Sequence, residues 1–257
     1  MTNGTFAKPI FDFEAVFEVE DYLYFYSDTL TEEQTDRQVD FLVQEMELNE
    51  PMKILDLACG FGRHANRLAG LGHQVTGVDL MPGFLEIAQK DAMERGVEVD
   101  YQESDMRYIT FNREYDRVLL LFTAFGYFED AENFKVLENV ARALKFGGML
   151  FFDIHNRDVF LKGFLPFIVT EKENDLMIDR NTFDGVSGRL YNRRIVIRDG
   201  VRRDKPFFVR LYSPTEIRDL LHVAGLEIYK MYGDWDGHPI STESRRIIII
   251  ARKVDKP

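Results

Sequence analysis

Lys53-Ile54-Leu55-Asp56-Leu57-Ala58-Cys59-Gly60-Phe61-Gly62-Arg63-His64-Ala65 is the stretch on which the fold turns. Residues 53–57 read as a short apolar strand, Gly60-Phe61-Gly62 as a tight turn, and Arg63–Ala69 as a helix ending near Gly70 and Gly72. The same rhythm continues outward. Gln74–Val78 is a second strand, Pro82–Arg95 a second helix closed by Gly96, and Val97–Gln102 a third strand. Asp116–Phe122 is almost wholly apolar, as expected of a parallel strand covered on both faces. Asn133–Leu144 is a helix stopped by Gly147-Gly148, and Met149–Ile154 a fifth strand. Strands alternating with helices predict a doubly wound, mostly parallel α/β sheet.

Upstream, Thr31 with Gln34 three residues later has the form of a capping box, before the apolar stripe Val39, Phe41, Leu42, Val43 and Met46. Downstream the alternation breaks after Phe160. Residues 167–212 read as β-runs separated by turn signals at Asp184-Gly185 and Asp199-Gly200, with no helical stretch between them, which predicts an antiparallel insertion. The α/β pattern resumes with a helix from Ser213-Pro214 through Leu221 and strands at 226–231 and 246–251. The expected division is an N-terminal helical lid (1–48), a core (49–160 and 213–257) and the β insertion (161–212).

Composition excludes several classes. The chain has 257 residues, 45% hydrophobic and 30% charged, so wholesale disorder is excluded. The net charge of −12 argues against a dedicated nucleic-acid binder. Cys59 is the single cysteine, which fits a reducing compartment and leaves no zinc spacing. Met1–Pro9 lacks the basic flank and apolar core of a signal peptide, and no apolar run reaches bilayer length. The expectation is a cytoplasmic protein without membrane contact and without a metal.

Gly60-x-Gly62-x-x-Ala65 with Asp79 after the next strand satisfies a dinucleotide fingerprint, a signal shared by several nucleoside cofactors. Asp56, Asp79 and Asp105 distinguish between them. All three fall at the carboxyl ends of adjacent predicted strands, in the crevice where such sheets bind ligands. A pyrophosphate would bring more negative charge there, whereas S-adenosylmethionine brings a sulfonium, an ammonium, ribose hydroxyls and an adenine amino group. Each carboxylate also has a plainer reading, as a cap on the following turn or helix.

Residues 54–62, Val75–Leu80, Ser104-Asp105-Met106 and Leu144–Gly148 resemble, in order, the successive motifs of the class I S-adenosylmethionine-dependent methyltransferases. The resemblance implies a seven-stranded Rossmann-like methyltransferase sheet with S-adenosyl-L-homocysteine as product. It implies that Asp56, Ala58, Gly60 and Gly62 line the methionine side, Ala58 standing where the family has glycine. It also implies Asp79 at the ribose, Leu80 against adenine, Asp105 accepting from the adenine amino group, Met106 offering its N–H, and Phe122 its carbonyl to the ammonium.

The acceptor side is less determined. No proline-rich motif of the nucleic-acid enzymes follows strand four, where Thr123-Ala124-Phe125-Gly126-Tyr127-Phe128 stands. Asp153 and Asn156 offer two ligands for a divalent ion but no third is visible. An insertion after strand five is similar to the glycine/sarcosine and nucleotide-sugar amine N-methyltransferases. Asp153, Asn156 and Asp158, Phe207–Pro214 and Gly233-Asp234-Trp235 have counterparts in the glycine group, while His155 and Arg157 depart from it. His155 and Tyr127 are the catalytic candidates, His155 because it would titrate near neutrality at the acceptor mouth. Tyr26 would fold over the cofactor, and Asn156, Arg210 and Trp235 would touch substrate. The insertion's arginines, Arg210 first, suit an anionic small molecule. The expected activity is methylation of a nitrogen or oxygen of a small metabolite; the alternatives are RNA modification or cofactor binding without catalysis. Nucleic acid is not the expected partner, and a homodimer is compatible with the sequence.

Overall fold

The structure is a computed structural model that describes residues 11–254; the stretch read for a signal peptide lies outside them. In chain order the elements are α1 (Phe13–Val16), α2 (Val19–Tyr26), α3 (Glu32–Glu45), β1 (Lys53–Leu57), α4 (Ala65–Gly70), β2 (Gln74–Asp79), α5 (Pro82–Arg95), β3 (Val99–Glu103), β4 (Tyr115–Leu120), α6 (Asp130–Ala143) and β5 (Leu144–His155). There follow α7 (Arg157–Lys162), β6 (Phe167–Lys172), β7 (Asp175–Asp184), β8 (Arg189–Arg198), β9 (Val201–Arg210), α8 (Pro214–Ala224), β10 (Leu226–Tyr232) and β11 (Arg246–Lys253). A seven-stranded sheet runs β10-β11-β5-β4-β1-β2-β3, with β11 antiparallel to both neighbours and the rest parallel. The doubly wound sheet expected from the sequence is the one observed.

Both faces of the sheet are covered. Leu55, Val118, Leu120, Phe152 and Ile249 turn to one face and pack with α6 and α8. Their neighbours Ile54, Leu119, Phe151 and Ile248 turn to the other, beneath α3 and α4. This alternation between two apolar layers is why the central strands carry no polar face. Local signals act as read: Thr31 accepts from the Gln34 N–H to cap α3, and Ser213 with Glu216 forms a full capping box on α8. Asp199 and Gly200 both take positive φ in the tight turn between β8 and β9.

The second sheet is antiparallel, β6-β7-β8-β9, and follows β5 and α7. It is joined to the core where the Arg210 N–H donates to the Gly126 carbonyl at 2.7 Å. A Cβ on Gly126 would meet the Arg210 carbonyl oxygen at 2.5 Å, so only glycine permits that approach.

Asp21 fastens α2 to the same sheet. Its carboxylate, 3% exposed, accepts from Arg203 at 2.8 and 2.9 Å, Lys205 at 2.6 Å and Arg198 at 3.3 Å. Burial alone would raise its pKa, but the Arg203 and Lys205 hydrogen bonds outweigh that and hold it down at about 2. A depressed carboxyl stabilises the folded state above its unfolded pKa and loses that contribution as pH falls through the folded one. Asp21→Asn is therefore expected to cost about 2 kcal/mol at pH 7. In chemical denaturation the gap to the wild type should close as pH drops from 4 toward 2; a gap independent of pH would show that the carboxylate's charge is not what holds α2.

Candidate active site

Two clefts meet over the carboxyl ends of the parallel strands. The first takes Asp56, Ala58 and Gly60 from the end of β1, Asp79 and Leu80 from β2, Asp105 and Met106 after β3, and Phe122 after β4. Its charges are held without solvent. Asp56 is 1% exposed, and its Oδ2 is buried with no hydrogen-bond partner. Burial pushes its pKa up to about 7, with Arg63 opposing and Asp79 adding to the rise. Asp79 accepts the backbone N–H of Gly60 at 2.7 Å and of Met81 at 2.9 Å, so it also ties the two loops together. Burial raises its pKa as well.

The turn itself is under constraint. Ala58 lies at φ +58°, in the left-handed region that costs a non-glycine residue roughly 1 kcal/mol. Glycine takes this conformation freely, so the alanine that stands where the family has glycine brings strain to the turn. Gly62 is not part of the lining; a Cβ there would fall 2.1 Å from the Tyr101 hydroxyl and 2.8 Å from Ala88, so its glycine serves helix-to-strand packing. Asp105 faces the cleft, but Arg107 already holds both of its oxygens, with contacts of 2.6 to 3.1 Å. Arg107 is anchored in turn by Glu132 at 2.7 Å.

The second cleft lies between the sheet's edge and the insertion, and shares Phe17, Tyr22, Phe122 and Tyr127 with the first. Those four form the partition. Phe122 and Thr123 both sit at φ +59°, two strained residues in succession. Asp153, fully buried, secures them: it accepts the Phe122 N–H at 2.7 Å and the Thr123 N–H at 3.2 Å, and pairs with Arg246. Asp153 is thus committed to backbone and arginine. Its partner in the considered ion site, Asn156, is committed too, capping α7 and donating to the Ser244 carbonyl at 2.9 Å. Among the described residues, Asp234, Asp236 and His238 are the one grouping with metal-ligand proximity, away from both clefts.

Several expected positions move. Asn156 is 3% exposed and outside the second cleft. Trp235 stacks on Phe151 at 5.2 Å under the opposite face of the sheet, beside Phe41, and reaches neither cleft. Tyr26 lines the second cleft; Tyr22 lines both. Arg210 lines the second cleft but spends its charge on Glu216 at 2.8 Å and lies over the Tyr212 ring. His155 opens to this cleft from the exposed end of β5, and its surroundings, the Arg246 cation among them, lower its pKa, so the neutral imidazole prevails at pH 7. Tyr127 packs among Phe11, Phe13 and Phe17, and burial raises its pKa far above the ordinary value. Arg63 escaped the sequence reading. It is 8% exposed, donates to Thr35 at 2.9 Å and Gln38 at 2.7 Å, and lies 5.4 Å from the Phe122 ring centre.

A cleft with buried, unpartnered carboxylate oxygen suits a cationic ligand. Comparison with known proteins agrees: residues 54–148 match the family described as a methyltransferase domain. The chain is an S-adenosylmethionine-dependent methyltransferase. It is 27% identical over 216 residues to a putative methyltransferase, YqeM, of Bacillus subtilis, covering 81% of this chain and 87% of that one. Its fold is similar to an S-adenosylmethionine-dependent methyltransferase from Clostridium acetobutylicum, with TM-score 0.78, 21% identity and coverage of 91% and 98%. The sugar N-methyltransferase KedS8 from a Streptoalloteichus species is similar at TM-score 0.70 and 19% identity, covering 99% and 98%.

The methyltransferase carries a stability cost at Asp56. Well below pH 4 this carboxyl is neutral in folded and unfolded chains alike. From pH 4 to 7 the unfolded chain ionises and the folded one resists, so stability falls over that window. Asp56→Asn should make the cofactor-free protein more stable at pH 8 by about 2–4 kcal/mol and leave it nearly unchanged at pH 4. Thermal denaturation of both proteins at the two pH values measures this; a less stable variant at pH 8 would show that the carboxylate is satisfied.

Proposed function

We propose that this methyltransferase methylates an amine nitrogen of a small molecule held in the second cleft. The observation that carries the choice of nitrogen over oxygen is the lack, among the described residues of that cleft, of a strong free base. Asp179 is bound by Arg194 at 2.8 Å, the Tyr127 hydroxyl is held protonated by burial, and His155, its pKa lowered beside the Arg246 cation, is only a weak base. A hydroxyl acceptor requires a strong base, whereas an amine needs only its free-base fraction and alignment. The name of the KedS8 relative is in keeping with this.

The cofactor, when bound, supplies an electrophilic methyl group on a positively charged sulfur. The chain's own residues do the rest. Asp56 would take the cofactor's ammonium, Asp79 the ribose hydroxyls, and Leu80 and Met106 the adenine. Asp105 would contribute through whatever capacity Arg107 leaves it. Phe122 and Tyr127, in the partition, would align the two reactants, and α2 with Tyr22 and Tyr26 would exclude water as a lid. Neutral His155 would accept a hydrogen bond from the amine. The insertion's cations do not favour an anionic acceptor in this cleft: Arg189, Arg194, Arg198, Arg202, Arg203, Lys205 and Arg210 pair with carboxylates, and Arg180 and Arg193 line neither cleft.

Thermal shift tests the cofactor side. S-adenosylmethionine and S-adenosylhomocysteine should each stabilise the protein, by about 2.7 kcal/mol at a hundred times the dissociation constant, and NAD should not. Asp79→Ala should weaken S-adenosylhomocysteine roughly tenfold or more by calorimetry. For the acceptor side, turnover assayed with primary amines and their matching alcohols should favour the amines; methylation of the alcohols alone, or of RNA, would overturn the reading.

A further inference from the structure

The insertion's inner face holds a polar group with no partner. Strand register places Asp179 of β7 opposite Ile168 of β6, Asn181 opposite Asn192 of β8, and Asn192 opposite Phe207 of β9. Asp179, Asn181, Asn192, Arg194 and Phe207 all line the second cleft. Asn192 is 4% exposed. Its Nδ2 donates at 2.9 Å to Asp179 Oδ1 and at 2.9 Å to Asn181 Oδ1, which uses both amide hydrogens. Asn181 is itself oriented, because its Nδ2 donates to the Leu165 carbonyl at 3.0 Å. Turning the Asn192 amide over would set its oxygen against two acceptors, so the orientation is determined. Asn192 Oδ1 is left buried and without a partner. Such an oxygen in a native structure calls for a donor.

The surroundings define what that donor belongs to. Arg194 binds Asp179 through Nε at 2.8 Å and through its terminal nitrogen at 3.2 Å, which cancels the charge. Asn192 Oδ1 is the oxygen of this group left without a partner, and Arg194, the cation in contact with the group, is already paired with Asp179, so nothing here draws a carboxylate or phosphate. The Phe207 ring beside Asn192, itself 5.0 Å from the Arg194 guanidinium, adds an apolar wall. Asn192 lines the second cleft and not the first, so it lies beyond the partition where the cofactor's methyl group would cross.

The geometry points to Asn192 as the specificity residue that reads a hydroxyl or amino group of the acceptor other than the nitrogen that is methylated. This rests on the second cleft being the acceptor site. The substrate class is a compact, non-anionic amine carrying a second hydrogen-bond donor. A site built to pair with such a donor discriminates strongly against the analogue that lacks it.

The test uses the full chain loaded with S-adenosylhomocysteine and three probes: trans-4-aminocyclohexanol, cyclohexylamine and trans-4-aminocyclohexanecarboxylate. In wild type the aminocyclohexanol should bind about tenfold more tightly than cyclohexylamine, with the carboxylate weakest. With Cγ-labelled asparagine, it alone should move the Asn192 carbonyl resonance. Asn192→Ala should erase the preference while leaving S-adenosylhomocysteine affinity unchanged, which also confirms folding; should that variant fail to fold, the wild-type resonance decides. Equal binding of the two amines, a preference that survives in the variant, tightest binding of the carboxylate, or no binding of any probe overturns the role. Leu190→Trp, which fills the cleft, separates the two readings. Probes that ignore it do not sit in the cleft, and the acceptor site falls; probes it blocks but Asn192→Ala does not affect refute Asn192 alone.

Discussion

A parallel sheet buried on both faces leaves its polar chemistry one place to go, the loops beyond the carboxyl ends of its strands. That constraint organises this enzyme. Asp56, Asp79, Asp105 and Phe122 come from four different strand ends and become neighbours because β1 lies between β2 and β4. In a sheet of different order the four would not all be neighbours.

The price of that gathering is visible as strain and as unneutralised charge, both of which collect at functional sites. Ala58, Phe122 and Thr123 lie in left-handed conformations that L-residues avoid. Asp56 keeps an oxygen buried and unbonded. The rest of the structure holds these features in place: Asp79 grips the Gly60 turn, and the buried Asp153 with Arg246 grips the Phe122–Thr123 step. The partition between the clefts is therefore anchored from β5 and β11, strands that contribute little else to the first cleft.

The insertion and the helix preceding the core are a single unit in energetic terms. Asp21 draws three cations of the insertion onto α2, and the same helix carries Tyr22 and Tyr26 over the clefts. An arginine-rich strand read alone suggests a ligand for phosphate. Here most of its charge is met by carboxylates, and the insertion's inner face presents to the second cleft a neutralised pair, Asp179 with Arg194, and two amides.

The order of strands and helices, the turn at Gly60-Phe61-Gly62, the insertion and its tight turns were all legible in the sequence, because periodicity and glycine placement are local properties. So were the three aspartates at strand ends, since following a strand in a parallel sheet already puts a residue at the ligand edge. What each side chain touches was decided by the tertiary structure. Trp235 and Asn156 look exposed to chemistry as residues in a motif, yet one fills the core against Phe151 and the other caps a helix. Arg210 adjoins the cleft but finds Glu216 first. Asp153 gave a signal, a carboxylate within the apolar run Phe151–Ile154, that pointed to a special role without saying which. Asn192 and Asp179 gave none, because their meaning depends on strand register and on partners 11 and 13 residues away across the sheet, and sequence carries no measure of which buried oxygen is left over.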